Sequence, residues 1–128
     1  MNLLLDTHIW IWAKSNPEHI GKRVAQELLK ENNELWLSPV SVWEALALMQ
    51  KGRIRMENPL LWVEQAAQQM REAPLTNEIV RTAFALHLPH ADPADRFLAA
   101  TAKVLNLTLV TADRKLLGLG DISTLANR

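Results

Sequence analysis

Three leucines at residues 3–5 run straight into an aspartate, Asp6, before the chain is ten residues long. A run this short cannot make a helix, and one that is apolar on both faces suits a strand buried in the middle of a parallel sheet. A carboxylate at the end of such a strand faces the crevice beyond its C-terminal end, where open α/β sheets take their ligands. The punctuation recurs at residues 107–110, a second buried-strand pattern that passes through Thr111 and Ala112 to Asp113. Further short strands are expected at residues 35–37, 73–75 and 121–125.

Helical patterns fill the intervals. Residues 7–14 read as a brief helix or turn ended by Ser15-Asn16-Pro17, and Val24, Leu28 and Leu29 carry helical spacing over residues 20–31. Ser38-Pro39 is a helix start, serine as N-cap and proline at the first position, for a helix reaching Gln50 and closed by Gly52. That helix is apolar nearly all round, which predicts cover on several sides, including by a second copy of the chain. Residues 51–56 suit a loop or a short edge strand. Asn58-Pro59 opens a helix to Arg71, residues 78–88 form another, Asp92-Pro93 opens one ending near Asn106, and residues 115–117 make a short one. Alternating strands and helices predict an α/β fold: a mainly parallel sheet of four or five strands with helices on both faces, in one domain over residues 1–128.

Composition narrows the chemistry. Hydrophobic residues are 48% of the chain, enough for a packed core. Fourteen acidic and fourteen basic residues cancel, so no global field draws the protein to nucleic acid or membrane. With no cysteine there is no disulfide and no thiolate zinc site. No apolar run reaches membrane-spanning length, and Asp6 and His8 stand where a signal peptide would be apolar, so a cytoplasmic protein is expected.

The acids are the candidates for function. Glu44 sits in the second turn of an otherwise apolar helix, where it needs a partner or a metal; a capping box from Ser41 is the structural alternative. Asp92 reads first as the N-cap before Pro93. Asp95 suits either the acidic first turn of that helix or a ligand, and it shares a face with Leu98, Ala99 and Ala102, which points it into the crevice. Asp113 suits either an Asx turn or a ligand. Taken together, Asp6 and Asp113 end two strands, while Glu44 and Asp95 lie in early turns of two helices leaving the same sheet edge. All-oxygen ligands suit Mg²⁺ or Mn²⁺, ions that activate water and neutralise charge on a phosphate. Thr7 and Thr111 add possible hydroxyl contacts beside their ordinary strand-end role. The four histidines form no zinc pattern, and His8 is expected in a turn. The five tryptophans are expected mostly in the core. Lys51, Arg53 and Arg55 make the one concentrated basic strip, and Arg96, Arg114 and Lys115 flank the acids; beside a metal site these become phosphate contacts.

The segments Leu-Leu-Leu-Asp6-Thr-His, Ser-Val-Trp-Glu44, His90-Ala-Asp92-Pro-Ala-Asp95-Arg-Phe-Leu-Ala-Ala-Thr-Ala and Leu-Val-Thr-Ala-Asp113 resemble the PIN domain, and more narrowly the VapC-type toxins of toxin–antitoxin pairs. The resemblance implies a three-layer α/β/α sandwich and a Mg²⁺- or Mn²⁺-dependent endoribonuclease. Its metal-site acids would be Asp6, Glu44, Asp95 and Asp113, with Asp92 as accessory. It further implies a homodimer in the cytoplasm and a cognate antitoxin whose C-terminal segment blocks the site. Ala112 departs from the pattern, since many relatives carry arginine or asparagine there. Aspartyl phosphotransfer domains fit poorly, because His8 stands where their phosphatases need a second aspartate. A non-catalytic module that binds RNA or a partner is the remaining alternative.

Overall fold

The alternation of β1 decides the layering. Leu3 and Leu5 project to one side of the strand and Leu4 to the other, and all three are buried. Leu3 and Leu5 join a cluster with Ile9, Trp10, Val24, Ala45, Met49 and Ala66. Leu4 joins a second cluster with Ile79, Ala83, Leu98, Ala99, Leu109 and Leu116. A strand buried on both faces must be central, and β1 (Asn2–Leu5) indeed lies between β2 (Glu34–Leu37) and β4 (Thr108–Thr111). The edges are β3 (Arg71–Glu72) and β5 (Ser123–Ala126), giving the order β3-β2-β1-β4-β5 with every pairing parallel. This computed structural model describes residues 1–88 and 92–128; His90 of the segment that resembles the PIN domain lies outside the described residues.

Helices α1 (Thr7–Ser15), α2 (Lys22–Leu29), α3 (Pro39–Gln50) and α4 (Pro59–Ala66) feed the first cluster. Helices α5 (Asn77–Ala85), α6 (Pro93–Leu105) and α7 (Arg114–Leu117) feed the second. The three-layer α/β/α sandwich is therefore present, its sheet wholly parallel. Caps set the helix starts: Ser38 Oγ accepts from Val40 N at 3.1 Å, Asn58 Oδ1 from Leu61 N at 3.2 Å, and Thr76 Oγ1 from Ile79 N at 3.2 Å. Asn106, in the left-handed region at φ 55°, closes α6.

Two expectations need correction, and the choice left open for residues 51–56 falls to the loop. Helix α4 ends at Ala66 rather than Arg71, because the chain turns over residues 67–70 with Gln69 at φ 66°. The edge strand consequently falls on Arg71–Glu72, pairing with Trp36 and Leu37, rather than on residues 73–75; Ala73 adds one rung to Leu37 O at 2.9 Å. Residues 51–56 form no strand: Gly52 at φ 75° turns the chain, and Arg53 N returns to Leu48 O at 2.9 Å. Among the tryptophans, Trp10 is fully buried and donates to Ala66 O at 2.9 Å, Trp12, Trp36 and Trp62 are half-buried, and Trp43 is 66% exposed.

Candidate active site

A cleft of about 450 Å³ opens at the C-terminal edge of the sheet, where β1 hands over to α1 and β4 to α7. Asp6, Glu44, Asp92, Asp95 and Asp113 all line it, with His8, Ile9, Trp12 and Ala112. The same feature makes three of these acids helix caps and places them in the crevice. In a parallel sheet a helix that follows a strand starts at this edge, so Asp6 and Asp113 cap α1 and α7 while facing the opening, and Asp92, which follows α5, caps α6 with its start at the same cleft. Asp6 Oδ1 accepts from Thr7 N at 2.7 Å, Asp92 Oδ1 from Ala94 N at 3.0 Å, and Asp113 Oδ1 from Lys115 N at 2.9 Å. The capping and the crevice readings of these residues are thus compatible.

Threonines orient the acids. Thr111, fully buried, donates from Oγ1 to Asp6 Oδ2 at 2.6 Å and accepts from Asp113 N at 3.0 Å. Asp6 therefore has both oxygens engaged. Thr7, also buried, donates to Glu44 Oε1 and shares a 2.9 Å hydrogen bond with Ser41 Oγ. A hydroxyl has one proton, so with Glu44 ionised Ser41 is the donor of that second bond. Ser41 thus supports the Glu44 carboxylate through Thr7 rather than by the capping box. Thr7 and Thr111, expected as possible hydroxyl contacts, are buried with their hydroxyls turned to Glu44 and Asp6.

The acids feel one another. Burial raises the Asp95 carboxyl, and the charges of Asp92, Asp6, Asp113 and Glu44 raise it further, to about 7. Burial also raises Asp6, against the hydrogen bonds from Thr111 and Thr7 and the charge of His8, while Asp113 adds to the rise. Glu44 is raised by burial and by Asp6 and Asp92, against the Thr7 bond and His8. Among the described residues no group of three or more His, Cys, Asp or Glu side chains is arranged to hold a metal ion. Oxygens of Asp6 and Glu44 are drawn instead onto threonine hydroxyls and a backbone amide.

The basic residues distribute unevenly. Arg96 turns its guanidinium to the end of α5, donating to Ala83 O at 3.2 Å and Leu86 O at 3.0 Å, so it braces α6 against α5. Lys51, Arg53 and Arg55 are exposed on the loop beyond the far end of α3, and none of them lines the cleft. Arg114 lines an adjoining cavity that meets the cleft at Ala112, and Lys115 is exposed one residue further on. His8, expected in a turn, stands in the first turn of α1 with its ring 5.7 Å from that of Trp12. The i, i+4 spacing of these two residues on the helix that Asp6 caps was the available sign that both face the cleft.

The PIN domain family model matches residues 3–121. Ribonuclease VapC22 of Mycobacterium tuberculosis (strain ATCC 25618 / H37Rv) is 34% identical over 116 residues, covering 89% of this chain and 88% of that protein. The fold is similar to a chain in the crystal structure of VapBC2 from Rickettsia felis bound to a promoter DNA fragment, with a TM-score of 0.76, 18% identity and full coverage of both chains. It is also similar to a chain of VapBC-1 from nontypeable Haemophilus influenzae, with a TM-score of 0.71, 23% identity and 98% of each chain covered. With strand-end acids, layer order and family match in agreement, the chain belongs to the PIN domain family.

Proposed function

We propose that residues 1–128 form a single nuclease domain, a divalent-cation-dependent endoribonuclease acting as the toxin of a toxin–antitoxin pair. One observation carries the reading: five carboxylates from distant parts of the chain line one cleft at the ligand-taking edge of the sheet. The donor set fits a hard cation, being all oxygen, and burial together with the neighbouring carboxylates lifts Asp95 to about 7. Asp6, Glu44, Asp95 and Asp113 would hold Mg²⁺ or Mn²⁺, with Asp92 beside them. When bound, such an ion lowers the pKa of water and neutralises charge on the phosphate.

The chain's own residues supply positioning. Thr111 and the Thr7 amide hold Asp6 at both oxygens, and the Ser41–Thr7 pair steadies Glu44. Water rather than the ribose 2′-hydroxyl is the nucleophile, which leaves 5′-phosphate and 3′-hydroxyl ends; a 2′,3′-cyclic phosphate product contradicts this. The similarity to chains of VapBC2 and VapBC-1 supports an antitoxin as partner. We place the protein in the cytoplasm as a homodimer; no helix among the described residues is long and apolar enough to cross a membrane.

The test compares wild type with Asp6→Asn and Asp95→Asn on total cellular RNA, with Mg²⁺ or Mn²⁺ and then with EDTA. Cleavage by wild type alone, abolished by chelation, is the expected result. Equal cleavage by all three proteins overturns the reading. A non-catalytic module would cut nothing and bind RNA regardless of chelator.

A further inference from the structure

Trp43 is the tryptophan that the core does not use. It is 66% exposed, while Trp10 on the neighbouring α1 is wholly buried. An exposed residue of this size draws notice when it belongs to a concave apolar surface. Trp43 does so: with Val40, Leu75 and Phe97 it lines a groove of about 480 Å³ between the first turns of α3 and α6. Glu44 and Asp92 line both this groove and the acidic cleft, so the two depressions share a wall. Glu44 follows Trp43 in the sequence, and the roughly 100° step between adjacent helix positions sends one side chain to each side of that wall.

Building on the reading of the cleft as an RNA-cutting centre, we propose that the groove is a base-binding subsite: a nucleobase next to the phosphate being cut stacks on Trp43. A strand with a phosphate at the carboxylates must leave the cleft somewhere, and the Glu44–Asp92 wall opens onto an apolar groove that shares those residues with it. The groove lies within the roughly 300–1,000 Å³ usual for small-molecule sites. An aromatic face holds any base, since every base has a π surface. The rim decides between RNA and protein. An apolar protein helix laid in the groove would strip water from Glu44 and Asp92 and offer them nothing, which is costly. A nucleoside covers Trp43 with its base and brings hydroxyl and amino donors to Asp92 on the rim.

The experiment measures cleavage and binding of a single-stranded RNA oligonucleotide by wild type, Trp43→Ala and Trp43→Phe, in parallel with oligonucleotides made abasic at single positions around the cut. Circular dichroism and thermal melting establish that the variants fold. Trp43→Ala is expected to raise KM about tenfold, the loss of one base–aromatic stack, with kcat little changed. Trp43→Phe recovers most of the loss. One abasic position beside the cut should impose the same penalty on wild type and no further penalty on Trp43→Ala. An abasic penalty of equal size in both proteins overturns the proposal. So does unchanged KM in Trp43→Ala, including the case in which that variant instead changes the oligomeric state and assigns the groove to a second copy. If wild type binds the oligonucleotide without cutting it, the nuclease reading fails separately. Weaker binding by Trp43→Ala then still supports the base contact, and equal binding overturns it.

Discussion

Glu27 on α2 and Asp95 on α6 are both acids set into the protein, one among donors and the other among acids. Glu27, 7% exposed, accepts from Lys30 Nζ at 2.8 Å and from Asn33 Nδ2 at 3.0 Å, and these bonds hold its carboxyl below the usual range. Asp95 is pushed the other way by burial and by Asp92, Asp6, Asp113 and Glu44, to about 7. The first arrangement serves the fold of the metal-free chain. The second raises the cost of ionising Asp95 in the folded chain, which a cation at the proposed site would relieve, and such a crowd of shifted carboxylates in a cleft is the electrostatic pattern of a functional site.

The comparison breaks most plainly in activity. Asp6→Asn and Asp95→Asn should each lower RNA cleavage at least about a hundredfold with the fold retained, because several kcal/mol of charge stabilisation goes with the site. Glu27→Gln should leave the cleavage rate where it was. Equal losses in all three would mean that cleavage reports stability rather than the cleft.

A smaller effect separates the acids from the residues that aim them. Thr111→Val removes the hydroxyl that holds Asp6 Oδ2 and the acceptor for Asp113 N. Hydrogen bonds to charged groups are worth about 1.5–3 kcal/mol, so kcat should fall roughly tenfold or more while KM stays put. Thr111→Ser should restore most of it. Recovery in neither kcat nor product yield would make Thr111 a packing residue only.

Stability should then respond to pH with opposite signs at the two sites. Asp95 ionises at about 3.8 when unfolded and about 7 when folded, so its penalty on the metal-free fold is absent below pH 3.8, grows from there to pH 7 and is complete above. Asp95→Asn should therefore raise the Tm in EDTA at pH 8 by about 3–5 °C, roughly 1 kcal/mol once solvent screening is allowed for. The gain should vanish near pH 4. Glu27, its pKa depressed, contributes stability that is present above its unfolded pKa and is lost as pH falls through its folded value. Glu27→Gln should lower the Tm slightly at pH 7 and converge with wild type in acid. Thermal melts across pH 3–8 check both signs together.

Much of this arrangement is legible before any coordinates, for local reasons. Proline at the first position of α3, α4 and α6 announces each helix start, and the leucine runs mark β1 and β4 as buried strands. Strand β3 escaped because Arg71–Glu72 is two exposed charged residues with no apolar pattern, and it forms only because β2 offers an edge. The acids were visible as strand and helix ends. Thr7 and Thr111 were visible as hydroxyl groups near the site, but the acid each one supports was not, because Thr111 meets Asp6 across 105 residues and Thr7 meets Glu44 across 37. Arg96 follows Asp95 in the sequence, but its hydrogen-bond partners are the carbonyls ending α5. Side-chain direction over such separations is set by packing, which residue spacing alone does not encode.

A Mn²⁺ titration followed by electron paramagnetic resonance, run on wild type and Asp95→Asn at pH 7.5, goes straight to whether the cleft carboxylates work as a unit. Wild type should take up Mn²⁺ saturably, and Asp95→Asn at least about tenfold more weakly. Undiminished binding in the variant, or none in wild type, would contradict this.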